Sequence, residues 1–404
     1  MSVQEISATT KVPAVCPTPR CEIPYASGRV IHVLREMNCG GAETVIMNAY
    51  RALYSRGTQF DFAVVNREPA YYDTEIGKLG GRIFRLPDPR VFGPISYYSA
   101  LKRTIRSEGP FLAVHAHAHY FSGIILRAAA RAAVPIRIAH SHTSRDHSHS
   151  LSRRGYRWLM MRMVREYATH LLGASQEACN DLFGAEATAR GLPQVVHNAV
   201  EPDGFSPLPQ DKFLLRRELG LHGNGVLVGH VGRFEEVKNH DFLIRSFVAL
   251  SHRLSDVRLV LAGDGPLRTR VMQQASATGL QGRIDFLGIV PHIPRLLAAL
   301  DLFLFPSRWE GLGLALVEAQ AAGIPCLVSD RVPREADIGL GLTVFRSLED
   351  GPAAWAEASA ELIGASRPEW PDRFKALRAG GYDIDSLAKA FSLIYSGVAT
   401  AVRI

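Results

Sequence analysis

At 404 residues, with 47% hydrophobic and 21% charged residues, the chain is long enough for two ordinary cores and too apolar to be disordered. No apolar stretch reaches the roughly 20 residues that span a bilayer, and the Pro-, Thr- and Ser-rich residues 1–28 lack a secretory leader's basic start and apolar run, so a cytoplasmic location is expected. The net charge of +7 is uneven: residues 1–200 carry 24 Lys and Arg against 15 Asp and Glu, which suits a phosphorylated substrate or an anionic lipid surface, and no nucleic acid-binding motif accompanies it.

After a loose tail, short apolar runs alternate with longer amphipathic stretches. Val30–Leu34 reads as a strand, Gly40 and Gly41 as a turn, and Glu43–Leu53 as a helix. Phe60–Val65, Arg82–Leu86, Ala113–His117 and Ile136–His140 read as further strands, with helical stretches between most of them. This rhythm predicts parallel sheets built from right-handed βαβ units. The Pro-bearing segment Glu201–Pro209 interrupts it, and it then restarts. Gly225–Val231 is the next expected strand and Asp241–Leu254 the next helix. Val257–Ala262, Ile284–Leu287, Leu302–Phe305 and Pro325–Val328 continue the strands. The expected organisation is an α/β chain: tail 1–28, a first Rossmann-like domain 29–200, linker 201–211, a second Rossmann-like domain 212–382 and a terminal helix 383–404. Two doubly wound domains of this kind bind a ligand in the cleft at the carboxyl ends of their strands.

Five cysteines, Cys16, Cys21, Cys39, Cys179 and Cys326, are scattered, with no C-x-x-C pair and no histidine at zinc-ligand spacing. They read as free thiols. Histidines cluster at His115, His117 and His119, at His140 and His142, and at His147 and His149. A metal reading competes with one in which the strand ends at His117 and His140 face the cleft, and the second is preferred; no metal and no cofactor are expected. Asp383-Ile-Asp385 is the sole D-x-D match and reads as a helix cap.

The most informative segment is Phe305–Ala319, in which a strand ends, Gly311 and Gly313 permit close backbone approach, and a helix begins. Unpaired N–H groups at such a helix start can hold an anion. Glu310 and Glu318 form an E-x7-E pattern across it, and a carboxylate can accept from two vicinal hydroxyls. Gly232, Arg233 and Lys238 follow the first strand of the second half and bring two cations to a strand end, enough to neutralise a diphosphate.

On these residues the chain resembles the family 4 type retaining glycosyltransferases with the GT-B fold, over about residues 29 to 400. The resemblance implies two facing Rossmann-like domains, a deep cleft between them, and a C-terminal helix returning to the first domain. It implies that Glu318 holds the nucleotide ribose and that Glu310 contacts the transferred sugar beside the leaving phosphate. Arg233 and Lys238 become the diphosphate clamp that replaces a metal, with Gly311, Leu312, Gly313 and Leu314 at the anion-holding turn. Gly41, in Asn38–Glu43, matches a glycine-rich turn facing the donor, and Glu43 reads as a first-turn helix residue. Gly263, in a strand-end turn, Gly288 and Val290 are expected along the donor, the last two offering backbone groups to the base in a manner that favours uracil. Ser329–Glu335 matches a loop at the far edge of the donor pocket. The same resemblance places a functional histidine at His140, near the transferred sugar or leaving phosphate, with His142 in reserve.

Gly40–Glu43, Gln59–Phe62, Leu79–Ile83 and Arg137–His142 narrow the likeness to bacterial exopolysaccharide and capsule enzymes. The implied reaction moves a hexosyl group from a nucleotide sugar to a glycan or polyprenyl-diphosphate-linked acceptor. The alternatives are a GT-B-fold nucleotide-sugar epimerase and a non-catalytic nucleotide-sugar-binding subunit. Arg153–Arg165 mixes cations with large apolar residues; it is either a helix burying Leu159, Met160, Met163 and Val164 or a peripheral contact with an anionic membrane.

Overall fold

Strands covered on both faces need near-continuous apolar runs, and Val226–Val231 and Leu302–Phe305 are such runs at the centre of a sheet. The computed structural model describes residues 27–142, 151–206, 215–218, 221 and 225–398. Expectations for nearly all of the tail, for Cys16, Cys21, His147 and His149, and for the second half of the linker lie outside the described residues.

In the first domain, β1 (Gly28–Val33), β2 (Thr58–Val64), β3 (Ile83–Arg85), β4 (Ala113–Ala116), β5 (Ile136–Ser141), β6 (His170–Gly173) and β7 (Gln194–Val195) make one parallel sheet in the order β3-β2-β1-β4-β5-β6-β7. Helices α1 (Gly41–Tyr54), α2 (Asp73–Lys78), α3 (Pro89–Glu108), α4 (Ser122–Arg131), α5 (Leu151–Tyr167), α6 (Gln176–Phe183) and α7 (Ala185–Ala189) cover it. Alternate strand residues point to opposite faces. Val30, Phe60 and Phe62 therefore meet Val45, Ile46, Tyr50 and Leu53 of α1, while Ile31, Val33 and Val114 meet Leu101, Ile125 and Val164 on the other side.

The second domain repeats the plan with β8 (Val226–Val231), β9 (Val257–Ala262), β10 (Ile284–Gly288), β11 (Leu302–Phe305), β12 (Cys326–Ser329) and β13 (Thr343–Arg346), in the order β10-β9-β8-β11-β12-β13. Its helices are α8 (His240–Ser251), α9 (Arg268–Ala277), α10 (Ile293–Ala299), α11 (Leu314–Ala321), α12 (Gly351–Leu362) and α13 (Trp370–Ala379). In each sheet the order reverses beside the first strand, between β1 and β4 and between β8 and β11. Such switch points are where open α/β sheets bind ligands.

The chain then returns to the first domain. Val200 N donates to Tyr382 O at 2.8 Å, and Asp383 caps α14 (Ile384–Tyr395) by accepting from Ser386 N at 3.1 Å. Leu387, Ala388, Phe391, Ile394 and Tyr395 of α14 join the first domain's core, and Asp385 pairs with Arg56 at 3.2 Å. On α5, Met160 and Val164 are buried as expected, but Leu159 is not: it is 47% exposed beside Trp158 at 64%. Met160 and Val164, four residues apart, take the inner face, and Leu159 falls outside it with Tyr156 and Arg162. Cys39, Cys179 and Cys326 are free thiols.

Candidate active site

Three glycines mark the carboxyl edge of the second sheet. Gly232 N donates to Ala262 O at 3.0 Å and Gly263 N to Gly288 O at 2.7 Å, so the ends of β8, β9 and β10 are stitched side by side. A Cβ on Gly263 would overlap the Gly232 carbonyl, and one on Gly232 would lie 3.0 Å from His230 Nε2 and 3.3 Å from the Lys238 side chain. Side chains are excluded here by contact, so these strand ends can pack backbone against backbone. Val290 is half-buried just beyond Gly288.

The loops after β8 and β11 are fastened to each other. Asn239 takes the left-handed conformation at φ 55° and its side chain donates to Pro306 O at 3.1 Å, while Arg308 N donates to Val237 O at 2.8 Å. These bonds bring Lys238 Nζ within 2.6 Å of Glu310 Oε1. The side chains are only 17% and 12% exposed, and the ammonium stands 5.0 Å from the centre of the Phe305 ring. Arg233 is more open, 48% exposed and 3.2 Å from Glu235.

Gly313 follows at φ 93°, where an added Cβ would lie 3.2 Å from the Phe305 ring and 3.4 Å from Val332. It starts α11 without a side-chain cap, so first-turn N–H groups remain available to an anion. Leu312 anchors this turn in the core at 1% exposure, and Leu314 packs against the first domain's core. One turn into α11, burial pushes the Glu318 carboxyl up to about 7.

The first domain closes the cleft from the other side. Ser175 Oγ accepts from Ala178 N at 3.0 Å, capping α6, and donates to the Gly311 carbonyl. Gln176 N donates to both Glu335 carboxylate oxygens at 3.1 and 2.9 Å. Gly41 opens α1, and nothing stands where its Cβ would go. Burial pushes the Glu43 carboxyl up to about 7 while the charge of Arg233, across the cleft, pulls it down. Glu43 is therefore a cleft residue as well as a first-turn one.

His140 is placed beneath the surface of the cleft, not on it. It is 1% exposed, its Nδ1 lies 3.1 Å from His115 Nε2, and its Nε2 is buried with no partner. His142 is half-buried, 2.8 Å from His117 Nδ1 through its Nε2. Thus Gly232, Arg233, Lys238, Glu310, Gly311 and Gly313 lie on the loops after β8 and β11 at the second domain's switch point, Gly263 and Gly288 extend that edge along β9 and β10, and Glu318 follows on α11, while Gly41 and His140 belong to the opposite wall and its underside. Sequence reasoning missed the Ser175–Gly311 and Gln176–Glu335 contacts, which join helix and loop ends far apart in the chain. It also missed how completely the histidines converge, although H-x-H on two strands already puts each pair on one face.

A cation held against a carboxylate beside an uncapped helix start, with a second cation nearby, can stabilise a departing diphosphate. Comparison with known proteins identifies the family. The family described as glycosyl transferases group 1 matches residues 211–339, and the glycosyl transferase 4-like domain matches residues 40–199. EpsF of Bacillus subtilis, named as a glycosyltransferase, is 36% identical over 375 residues, covering 91% of this chain and 96% of its own. An Escherichia coli UDP-Gal:alpha-D-GlcNAc-diphosphoundecaprenol alpha-1,3-galactosyltransferase is 29% identical over 246 residues, 58% of this chain and 61% of its own. Among solved structures, Anabaena HepE in complex with UDP-glucose superposes with a TM-score of 0.75 at 18% identity, covering 92% of this chain and all of HepE. The chain belongs to the glycosyltransferases that join a 4-like first domain to a group 1 second domain, and it is an enzyme of that family on the GT-B fold.

Proposed function

We propose that this glycosyltransferase moves a hexosyl group from a UDP-sugar to a glycan or polyprenyl-diphosphate-linked acceptor in exopolysaccharide or capsule synthesis, with retention of configuration and no metal at the diphosphate. The observation that carries the reading is the Lys238–Glu310 pair at 2.6 Å beside the start of α11. Lys238, Arg233 and the α11 N–H groups balance the charge on the leaving diphosphate. Glu310 accepts from the sugar's hydroxyls, Glu318 from those of the ribose, and the glycine edge from Gly232 to Gly288 receives the nucleotide. The acceptor hydroxyl attacks from the face that the diphosphate leaves and gives its proton to the leaving phosphate, so no side-chain base is demanded. His140 supports the sugar side of the pocket from below as a neutral imidazole, since burial holds its pKa well under the usual range.

The donor named for the Escherichia coli relative is a UDP-sugar and its acceptor a diphosphoundecaprenol lipid, which supports both halves of the substrate reading. A lipid-linked acceptor also suits the outer face of the first domain. There Trp158 and Leu159 stand exposed among Arg153, Arg154, Arg162 and Arg165, as a peripheral membrane contact requires. No helix among the described residues is long and apolar enough to cross a membrane.

The test is release of nucleoside diphosphate from a panel of UDP- and GDP-sugars, with chelator present, followed by NMR of the product anomer. Turnover of one UDP-sugar, lost in Arg233→Ala and giving the α-anomer from an α-linked donor, is expected. Inversion of the anomer, or activity that needs added Mg2+ or Mn2+, would overturn the mechanism.

A further inference from the structure

Outside the donor clamp, the first domain assembles five histidines on one face of three neighbouring strands. His32 of β1 pairs in register with His115 of β4. His117, just past β4, and His140 and His142, at the end of β5, complete the layer. The closest rings, His140–His142 and His115–His117, have centroids 4.0 and 4.3 Å apart. Phe60, Phe62, Phe391 and Tyr395 surround them.

Hydrogen bonding alone does not satisfy this layer. His32 Nε2, His140 Nε2 and His142 Nδ1 are buried with no partner, as is Asn198 Oδ1. Buried polar atoms without partners are rare in folded proteins and each needs a cause. Within the layer, a ligand atom from each of His117, His140 and His142 lies within 4.8 Å of the other two. We propose that His117, His140 and His142 bind one divalent ion of the Zn2+ type, with His32 and His115 holding the ligand rings from behind.

A single set of tautomers serves this arrangement. His117 Nε2–H donates to His32 Nδ1 at 3.0 Å. His140 Nδ1–H donates to His115 Nε2 at 3.1 Å, and His115 Nδ1–H donates to the Tyr395 hydroxyl at 2.8 Å. Asn198 lies beside His142, and its Oδ1, also without a partner, is the acceptor assigned to His142 Nδ1–H. The lone pairs left over are His117 Nδ1, His140 Nε2 and His142 Nε2. The first and last are hydrogen-bonded at 2.8 Å in the metal-free chain, sharing one proton; an ion displaces that proton and spreads them to the edge of about 3.3 Å that tetrahedral zinc with Zn–N bonds of about 2.0–2.1 Å requires. Histidine ligands usually have their second ring nitrogen held by another group; His117 and His140 have such a partner here, and His142 has Asn198 beside it.

The donor set names the class of ion. Three imidazoles without thiolate or carboxylate suit Zn2+, Cu2+ or Ni2+ and disfavour Mg2+ and Ca2+. The rings lie in the interior of the sheet face, which favours their neutral, ligating form. An ion there would pin the ends of β4 and β5 at the cleft. It belongs to the first domain, whereas the diphosphate clamp belongs to the second, so the inference stands whether or not the proposed transfer reaction is correct.

The test uses the full chain without a histidine tag, stripped with chelator and titrated with Co2+ alone. One Co2+ per chain should bind and give visible ligand-field bands, and Zn2+ should bleach them. Zn2+ should also raise Tm by at least about 2 °C. Both effects should vanish in His142→Gln and His117→Gln and persist in His119→Gln, whose residue pairs with Asp181 outside the layer. Should those variants fail to fold, the paramagnetically shifted imidazole N–H signals of the Co2+-loaded wild type decide: three solvent-exchangeable signals support the site. Absence of Co2+ binding by the wild type overturns the proposal, as does binding unchanged in both variants.

Discussion

Lys238 Nζ and Glu310 Oε1 are 2.6 Å apart although their residues are separated by 72 positions, and the contact exists because Asn239 and Arg308 tie the loops after β8 and β11 together. Neither charge is well solvated, so each depends on the other until a donor arrives. A diphosphate gives Lys238 a second anion, and a hydroxyl gives Glu310 a donor. Lys238→Ala should therefore lower kcat/KM by about 100- to 1000-fold, the range for removing one preorganised stabiliser of transition-state charge. Glu310→Gln should keep nucleotide binding, measured by calorimetry, and lose turnover. Full turnover in that variant would remove Glu310 from the site.

The raised pKa of Glu318 gives a pH signature. Burial pushes its carboxyl up to about 7, above the usual carboxylate range. Only the ionised form accepts from both ribose hydroxyls. Donor affinity should therefore rise as pH rises through 7, and KM should fall about tenfold between pH 6 and pH 8. Glu43 titrates in the same window, so the control matters. Glu318→Gln should show a higher KM that no longer changes with pH. A slope that survives in Glu318→Gln would move the titration to Glu43.

The long central strands and the E-x7-E segment were legible because their signals are local. Val257–Ala262 and Leu302–Phe305 are apolar runs bounded by polar residues or turns, and they form strands over those same residues. β7, with two residues, is too short to show a period, β6 offers only two apolar residues between His170 and Gly173, and β13 is a four-residue edge strand with little buried surface. Whether Leu159 is buried stays open in the sequence because helical spacing alone does not say which of two apolar stripes faces inward; it is exposed. Lys238 and Glu310 could each be picked from their own motif, but their contact depends on Asn239 adopting positive φ, which the sequence only hints at. The histidine layer was visible as two H-x-H pairs. Its closure needed His32, which comes from a third strand more than 80 residues earlier than the first pair.

Ser175 joins the two domains through one hydroxyl. It accepts from Ala178 N and donates to the carbonyl of Gly311, at 0% exposure. Ser175→Ala removes the cap of α6 and strands a buried carbonyl at the turn that begins α11. The expected loss is about 1–2 kcal/mol of apparent stability in urea unfolding, with a rise in donor KM because Gly311 borders the anion-holding turn. Unchanged stability would mean that the carbonyl finds water once the hydroxyl is gone.

Gly263 offers the sharpest steric test. Its φ of 134° is one that L side chains rarely adopt, and an added Cβ would overlap the Gly232 carbonyl. Gly263→Ala must therefore push apart the ends of β8 and β9, from which the Arg233–Lys238 loop departs. Donor binding should be lost, whereas the core strands upstream of the turn have no reason to separate. Gly279→Ala is the matched control: φ is also positive, at 76°, but nothing lies within 4 Å of the added atom. That variant should cost only the roughly 1–2 kcal/mol of a left-handed alanine and keep donor affinity. Calorimetric titration of both variants with the preferred donor, alongside circular dichroism, separates damage to the glycine edge from general destabilisation. Equal donor affinity in the two variants would show that the nucleotide does not rest on the edge formed by Gly232, Gly263 and Gly288.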